Sequence, residues 1–341
     1  MNIHDKIDNI EIRVDKRTTL LGIIEVLSDY RNKYPKLING INNEDYIKYI
    51  DNTFSKYRNH NIIILFNNLL QKYDLSFSKP IKLFLQLKED FTIDYINNEI
   101  VNKKLNNDPD VILLLEQLQS FAKSINFDSF YLENEKRYKK YLNNIKSQLI
   151  NSNIYKFMSD YYGQDINKKL VVNLIPWRTY GCYGTNDDNN IYTHLCCHHQ
   201  AIDDNTLYPN DDKVFDYSAF LVHEFSHSFI NPIVDKYDLI SEEDVIFADI
   251  LPTISKIGYG SNNSILKDHI VRAITLRYLL KYKKDISYYN NQYNLDKELG
   301  FKYIDSFLEE LLFYENNRMI YPNFETFYPE LINSVKRNIL K

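Results

Sequence analysis

Residues 223–227 read His-Glu-Phe-Ser-His, and this spacing is the strongest chemical signal in the chain. Imidazoles four residues apart leave the same face of a helix. Two convergent imidazoles suit zinc, which takes nitrogen ligands in a tetrahedral shell. Glu224 follows the first ligand and should stand beside the ion, where a general base for water activation belongs. The stretch 220–229 carries no charge except Glu224, and neither Gly nor Pro. A helix under a cleft needs such flanks, because a stray charge there would be desolvated without a partner.

A catalytic zinc takes three protein ligands and keeps one position open. A third His at metzincin spacing is absent, since positions 230 and 233 are Ile230 and Ile233. The third ligand is therefore expected to be a carboxylate on a later element. Glu242, Glu243, Asp244, Asp249 and Asp268 are the candidates. Asp249 lies in the apolar run Val245–Leu251, at a spacing that thermolysin-like enzymes use. Asp268 has Arg272 four residues on, so the two can pair on one helical face. Such a pair can orient a ligating carboxylate.

The elements that must position these residues follow from periodicity. Leu20, Leu21, Ile23, Ile24 and Leu27 form a helical stripe, as do Ile62–Leu65 with Leu69 and Leu70. Ile81, Leu83, Phe84 and Leu87 form another. A further one, Val111–Leu115 with Leu118 and Phe121, is opened by Pro109. Residues 133–150 are more charged and expected to be more exposed. Leu170–Ile175, ended by Pro176, reads as a buried strand, and Asn190–Ile202 as a second one. Asp203–Asp212 reads as a turn-rich connection, with Asp211 or Asp212 capping the helix of the His pair. That helix is expected to stop at Asn231, before Pro232. Helices are expected at about 241–257, 264–284, 301–317 and 325–340. The fold class is α+β and mainly helical. A helical N-terminal region, 1–160, leads into a catalytic region, 161–341, with a small sheet and an active-site helix. The two could also form one continuous domain.

Hydrophobic residues make up 44% and charged residues 26% of the 341 positions, as in ordinary globular proteins. Net charge is −5 with no basic stripe, which argues against a nucleic-acid partner. Apolar runs such as Ile62–Phe66 fall far short of the roughly 18 residues a membrane span needs. Three Cys cannot build a disulfide framework. The first residues lack a charged segment followed by an apolar core, so the expected location is cytoplasmic, with a processed secreted form as the alternative. Cys196-Cys197-His198-His199 resembles a metal cluster, but strand neighbours point to opposite faces and cannot converge on one ion. One of its His could instead face a substrate and stabilise an oxyanion. Tyr259, Tyr278 and His269 are further candidates for that role. His4, His60 and His194 carry no pattern.

His-Glu-Phe-Ser-His-Ser-Phe-Ile-Asn-Pro at 223–232, with Val234-Asp235-Lys236-Tyr237 after it, resembles a family of uncharacterised bacterial zincin-like proteins. These carry a domain of unknown function and are taken as metallopeptidases. Asp268-His269-Ile270-Val271-Arg272-Ala273 is similar to a Glu-His-Ile-Val-Arg-Ala segment of that family, with Asp in place of Glu. Thr19–Ile24 and Tyr57–His60 are similar to further stretches, so the likeness extends over most of the chain. The resemblance implies a zincin-like catalytic region and Asp268 as third ligand.

The expected function is that of a zinc-dependent hydrolase, a peptidase acting on a peptide or protein. Zn²⁺ would be held by His223, His227 and Asp268, with Glu224 as the base. His269, Arg272 and Tyr259 are the candidates for oxyanion or ligand-orienting roles. The alternatives are a non-catalytic helical binding protein with a structural or vestigial zinc site, and a zinc amidase acting on a non-peptide substrate.

Overall fold

Ile10, Ile12 and Val14 are buried and alternate with polar Glu11 and Arg13, the period of a strand, and Arg13 is buried as well, paired with Asp15 at 2.9 Å. They belong to a five-stranded mixed sheet in a computed structural model that describes residues 2–38, 44–94, 108–178, 183–196 and 217–340. The chain divides into two compact units, each made of two segments. One comprises Met1–Ser147 and Lys168–Asp211, the other Gln148–Asn167 and Asp212–Lys341.

The first unit holds the whole sheet. Strand β1 (Ile3–Ile7) turns at Asp8, whose φ is 49°, and pairs antiparallel with β2 (Ile10–Val14). β2 runs parallel to β3 (Lys169–Ile175), with Ile12 opposite Val172. β3 in turn runs parallel to β5 (Asn190–Cys196), with Val172 opposite Thr193. β4 (Tyr183–Asn186) closes the order β1-β2-β3-β5-β4 as an antiparallel edge.

Helix α1 (Lys16–Leu27) follows β2 directly, its first turn capped by the buried Asp15 carboxylate. α1 is buried on nearly every side, including Glu25. Glu25 is satisfied by Arg178 and by the Trp177 indole, whose Nε1 donates at 2.8 Å. Helices α2 (Glu44–Phe54), α3 (Asn61–Lys72), α4 (Lys79–Leu85), α5 (Pro109–Ser124) and α6 (Phe127–Glu133) complete most of the unit. The His60 side chain caps α3 by accepting the Ile62 N–H at 3.2 Å. Helix α7 (Glu135–Leu149) has charged flanks but buries Tyr138, Leu142, Ile145 and Leu149 along one face, so the exposure expected there holds for its other faces only.

The second unit is helical throughout its described residues. It contains α8 (Ile154–Tyr162), α9 (Tyr217–Tyr237), α10 (Asn262–Tyr282), α11 (Ser287–Glu298), α12 (Ile304–Asn316) and α13 (Phe324–Ile339). α10 is the central helix and packs on α9, α11 and α12. α8 supports α9 from another side, where Tyr162 stacks on Phe229 with centroids 4.3 Å apart.

Several expectations change. The units do not divide at 160/161, because β3 and β5 pair with a strand from the extreme N-terminal segment and so join the first unit. The helix of the His pair does not stop at Asn231. It runs through Pro232 to Tyr237, where buried Val234 keeps the last turns attached. No single helix spans 241–257. The acids of that segment are consumed in turns and caps instead: Asp244 accepts the Ser241 N–H at 2.8 Å, and Glu242 accepts the Asn262 N–H at 2.9 Å at the start of α10. Only a short helix at Leu251–Ile254 and a 3-10 turn at Ser255–Ile257 remain. The second expected strand is described as far as Cys196; Cys197, His198, His199 and the stretch 200–216, including Asp211 and Asp212, lie outside the described residues. Among the described residues no helix is long and apolar enough to cross a membrane.

Candidate metal centre

His223 and His227 sit one turn apart on α9, and the helix brings their rings to 5.0 Å between centroids. The facing atoms are the two Nε2 nitrogens, 3.3 Å apart. Asp268, on α10, brings Oδ1 to 3.5 Å from His223 Nε2. One ligand atom from each of these three residues lies within 4.8 Å of the others. The pairing comes from packing: α9 and α10 lie against each other, each burying an apolar face that includes Leu221, Val222 and Phe225 on one and Ile265, Ile270 and Ile274 on the other.

Three acceptor atoms converging this closely repel one another unless a cation or a shared proton lies among them. Asp268 sharpens the point. It is 2% exposed, and its Oδ1 has no hydrogen-bond donor. Arg272 Nε lies 3.2 Å from that oxygen, but not along a hydrogen-bonding direction. Two ligands at zinc distances of about 2.0–2.2 Å in a tetrahedral shell stand about 3.3–3.5 Å apart. Two of the three separations, 3.3 and 3.5 Å, are those of such an edge, and the third lies within 4.8 Å. The residues therefore fit the ion that the sequence suggested.

Electrostatics point the same way. Burial pushes His223 down to about 3, against the pull of Asp268. Burial also lowers His227. Both imidazoles are thus neutral near pH 7, as metal ligands would have to be. His227 Nδ1 lies 3.3 Å from Asn231 Oδ1 and donates to it, which leaves Nε2 with its lone pair toward the cluster. Burial pushes the Asp268 carboxyl up, but the Arg272 guanidinium, helped by the Tyr259 hydroxyl, outweighs it and holds the group below its ordinary value.

The remaining candidates separate cleanly. Glu224 is buried on α9 beside His223. Asp249 is exposed and bonded to Lys302 at 2.7 Å and Tyr303 at 2.6 Å. Glu243 is exposed as well, and Glu242 and Asp244 serve the caps already described. Tyr259 is half-buried, edge-on to Phe301 at 5.5 Å, on the site's Asp268 side. His269 is buried among Phe247, Phe301 and Phe307, and its Nδ1 bonds the Ile265 carbonyl at 2.9 Å. Tyr278 donates its hydroxyl to the Ser152 carbonyl at 2.7 Å and acts as a packing anchor. In the first unit His194 is fully buried, between Asn173 and Thr185.

Residues 10–334 match the family described as a domain of unknown function (DUF4932). The chain belongs to that family. No curated protein matches it, and no solved structure does. The family span covers nearly the whole chain and contains His223, Glu224, His227 and Asp268. It also contains two residues that sequence reasoning passed over, Asn231 and Asp296. Asn231 had a legible signal, since it follows His227 by one helical turn. Asp296 had none. It lies in a polar stretch without an apolar stripe, and only the fold carries it to Arg272, whose Nη1 donates to Asp296 Oδ1.

Proposed function

We propose that this DUF4932 protein is a zinc-dependent hydrolase that cleaves peptide bonds. The observation that carries the reading is the cluster of His223 Nε2, His227 Nε2 and Asp268 Oδ1, the last of them without a hydrogen-bond donor, with a buried Glu224 next to His223 in the same helix. His223, His227 and Asp268 would hold the ion, and a set of three protein ligands suits a catalytic site that keeps one position open. When bound, zinc supplies Lewis acidity and lowers the pKa of a coordinated water. Glu224 accepts the proton of the attacking water and returns it to the leaving amine nitrogen. Asn231 keeps His227 in the tautomer that ligates, and Arg272 keeps Asp268 ionised. The zincin-like character of the catalytic region belongs to this same proposal, as does a peptide or protein substrate.

The test is elemental analysis of the purified full chain beside His223→Ala. About one zinc per chain, lost in the variant, is the expected result. A wild-type protein without zinc, and unable to take it up after dialysis against the metal, would end the proposal.

A further inference from the structure

Asp296 is the single buried residue of α11, a helix otherwise made of half-buried and exposed positions. A helix that buries only a carboxylate, at 0% exposure, needs a reason in the partner of that carboxylate. The partner is Arg272. Its Nη1 donates to Asp296 Oδ1, and Gln292 Nε2 donates to the same oxygen at 2.9 Å. The guanidinium carbon lies 4.1 Å from the centroid of Phe301, so its face is held as well as its edge. An Arg four residues after an Asp lies on the same helical face, and such pairs frequently close with two parallel hydrogen bonds. Here it does not. The closest approach of Arg272 to Asp268 is Nε, at 3.2 Å and off the hydrogen-bonding direction, and Asp268 Oδ1 stays without a donor.

We infer that Asp296 is a positioning residue for the ligand Asp268, acting through Arg272: it draws the guanidinium aside so that Asp268 Oδ1 keeps its lone pair free for the metal. This inference rests on the zinc reading above. Without Asp296, Arg272 is free to close on Asp268 and compete with the ion for Oδ1.

The experiment measures zinc affinity by competition with a chromophoric chelator, together with the thermal midpoint of the metal-free protein. The proteins are the full chain and its Asp296→Leu, Asp296→Asn, Arg272→Met and Arg272→Met/Asp296→Leu variants. Asp296→Leu is expected to weaken zinc binding about 10–100-fold, the range found for outer partners of metal ligands. Asp296→Asn keeps an acceptor oxygen for Arg272 and should lose less. In the Arg272→Met background the Asp296→Leu step should change affinity by less than about twofold, because the lever is gone. Gln292→Leu, at a half-buried position, should give a milder loss in the same direction and covers the case in which Asp296→Leu does not fold. Affinities within about twofold of wild type in both Asp296→Leu and Gln292→Leu, or equal losses in both Arg272 backgrounds, would overturn the inference. So would a lowered midpoint with unchanged affinity, which marks a purely structural role. A wild-type chain that binds no zinc fails differently: it removes the metal reading itself, and this inference with it.

Discussion

His223 Nε2 and His227 Nε2 face each other at 3.3 Å, with their ring planes crossing at 78°. Helix geometry alone brings residues four apart to the same face, but it does not aim two ring nitrogens at one point. The aim comes from side-chain rotation, fixed for His227 by the Nδ1 contact to Asn231. Asp268 then completes a triangle from a different helix.

The triangle makes Asp268 the proposed ligand to remove first. Asp268→Ala should weaken zinc binding by more than the ~10–100-fold loss expected for an outer partner. Asp249→Ala should leave it unchanged, because Asp249 is a surface residue bonded to Lys302 and Tyr303. Chelator competition on the two variants checks both statements. Equal losses would mean that the metal is held by a different set of atoms.

In the proposed hydrolase Glu224 transfers protons and does not hold the ion. Glu224→Gln keeps the size of a buried side chain and removes its basicity. The variant should retain wild-type zinc content and lose peptide hydrolysis by about 10²–10⁴-fold, the span of general base catalysis. Cleavage of a mixed peptide library followed by mass spectrometry supplies the readout. A variant that cleaves as fast as its parent would strip Glu224 of that role.

How far the sequence carried this site depends on the range of each signal. The His pair is a local pattern, and so was legible. So were the stripes of α1, α3, α4 and α5, whose apolar residues recur within one helix. Asp268 was legible only as one of five acids, since burial separates it from Asp249 and Glu243, and burial is a property of the assembled unit. The alternation Ile10-Glu11-Ile12-Arg13-Val14 was present but short, and the strand that completes its pairing begins at Lys169. Asp296 left no trace at all, because a lone Asp in a polar helix reads as solvated until the fold buries it against Arg272.

Acid should destabilise the first unit through His194. The ring is fully buried, with Nδ1 3.1 Å from Asn173 Nδ2 and Nε2 2.8 Å from Thr185 Oγ1. Burial pushes it down to about 3, the Asp15 charge opposing only in part. The folded pKa therefore lies below the unfolded value near 6.5, so between these two values the unfolded chain binds more protons. Stability from this group is complete above about pH 6.5 and is lost as pH falls toward 3, at up to ~1.4 kcal/mol per pH unit. Urea titrations of chelator-treated protein at pH 7, 6 and 5 should reveal that slope, and His194→Gln should be shallower. Parallel slopes in the two proteins would mean that His194 does not fold neutral.

Gly22 tests the packing of α1 against the end of β3. An exposed helix-interior Gly replaced by Ala ordinarily gains about 1 kcal/mol. Here an added Cβ would lie 2.5 Å from the Trp177 ring, closer than any real contact allows. Trp177 has little room to retreat, because it is fully buried and its Nε1 is bonded to Glu25, which also holds the buried Arg178. The clash must therefore be relieved by moving the helix or breaking the indole hydrogen bond, and overpacking of this kind costs about 1–3 kcal/mol. Gly22→Ala should consequently destabilise the protein despite the better helix propensity. Trp177 is the chain's single tryptophan, so its intrinsic fluorescence reads the site directly. The expected result is an altered native emission spectrum together with a lower urea midpoint. A midpoint raised above wild type would show that the indole yields without loss.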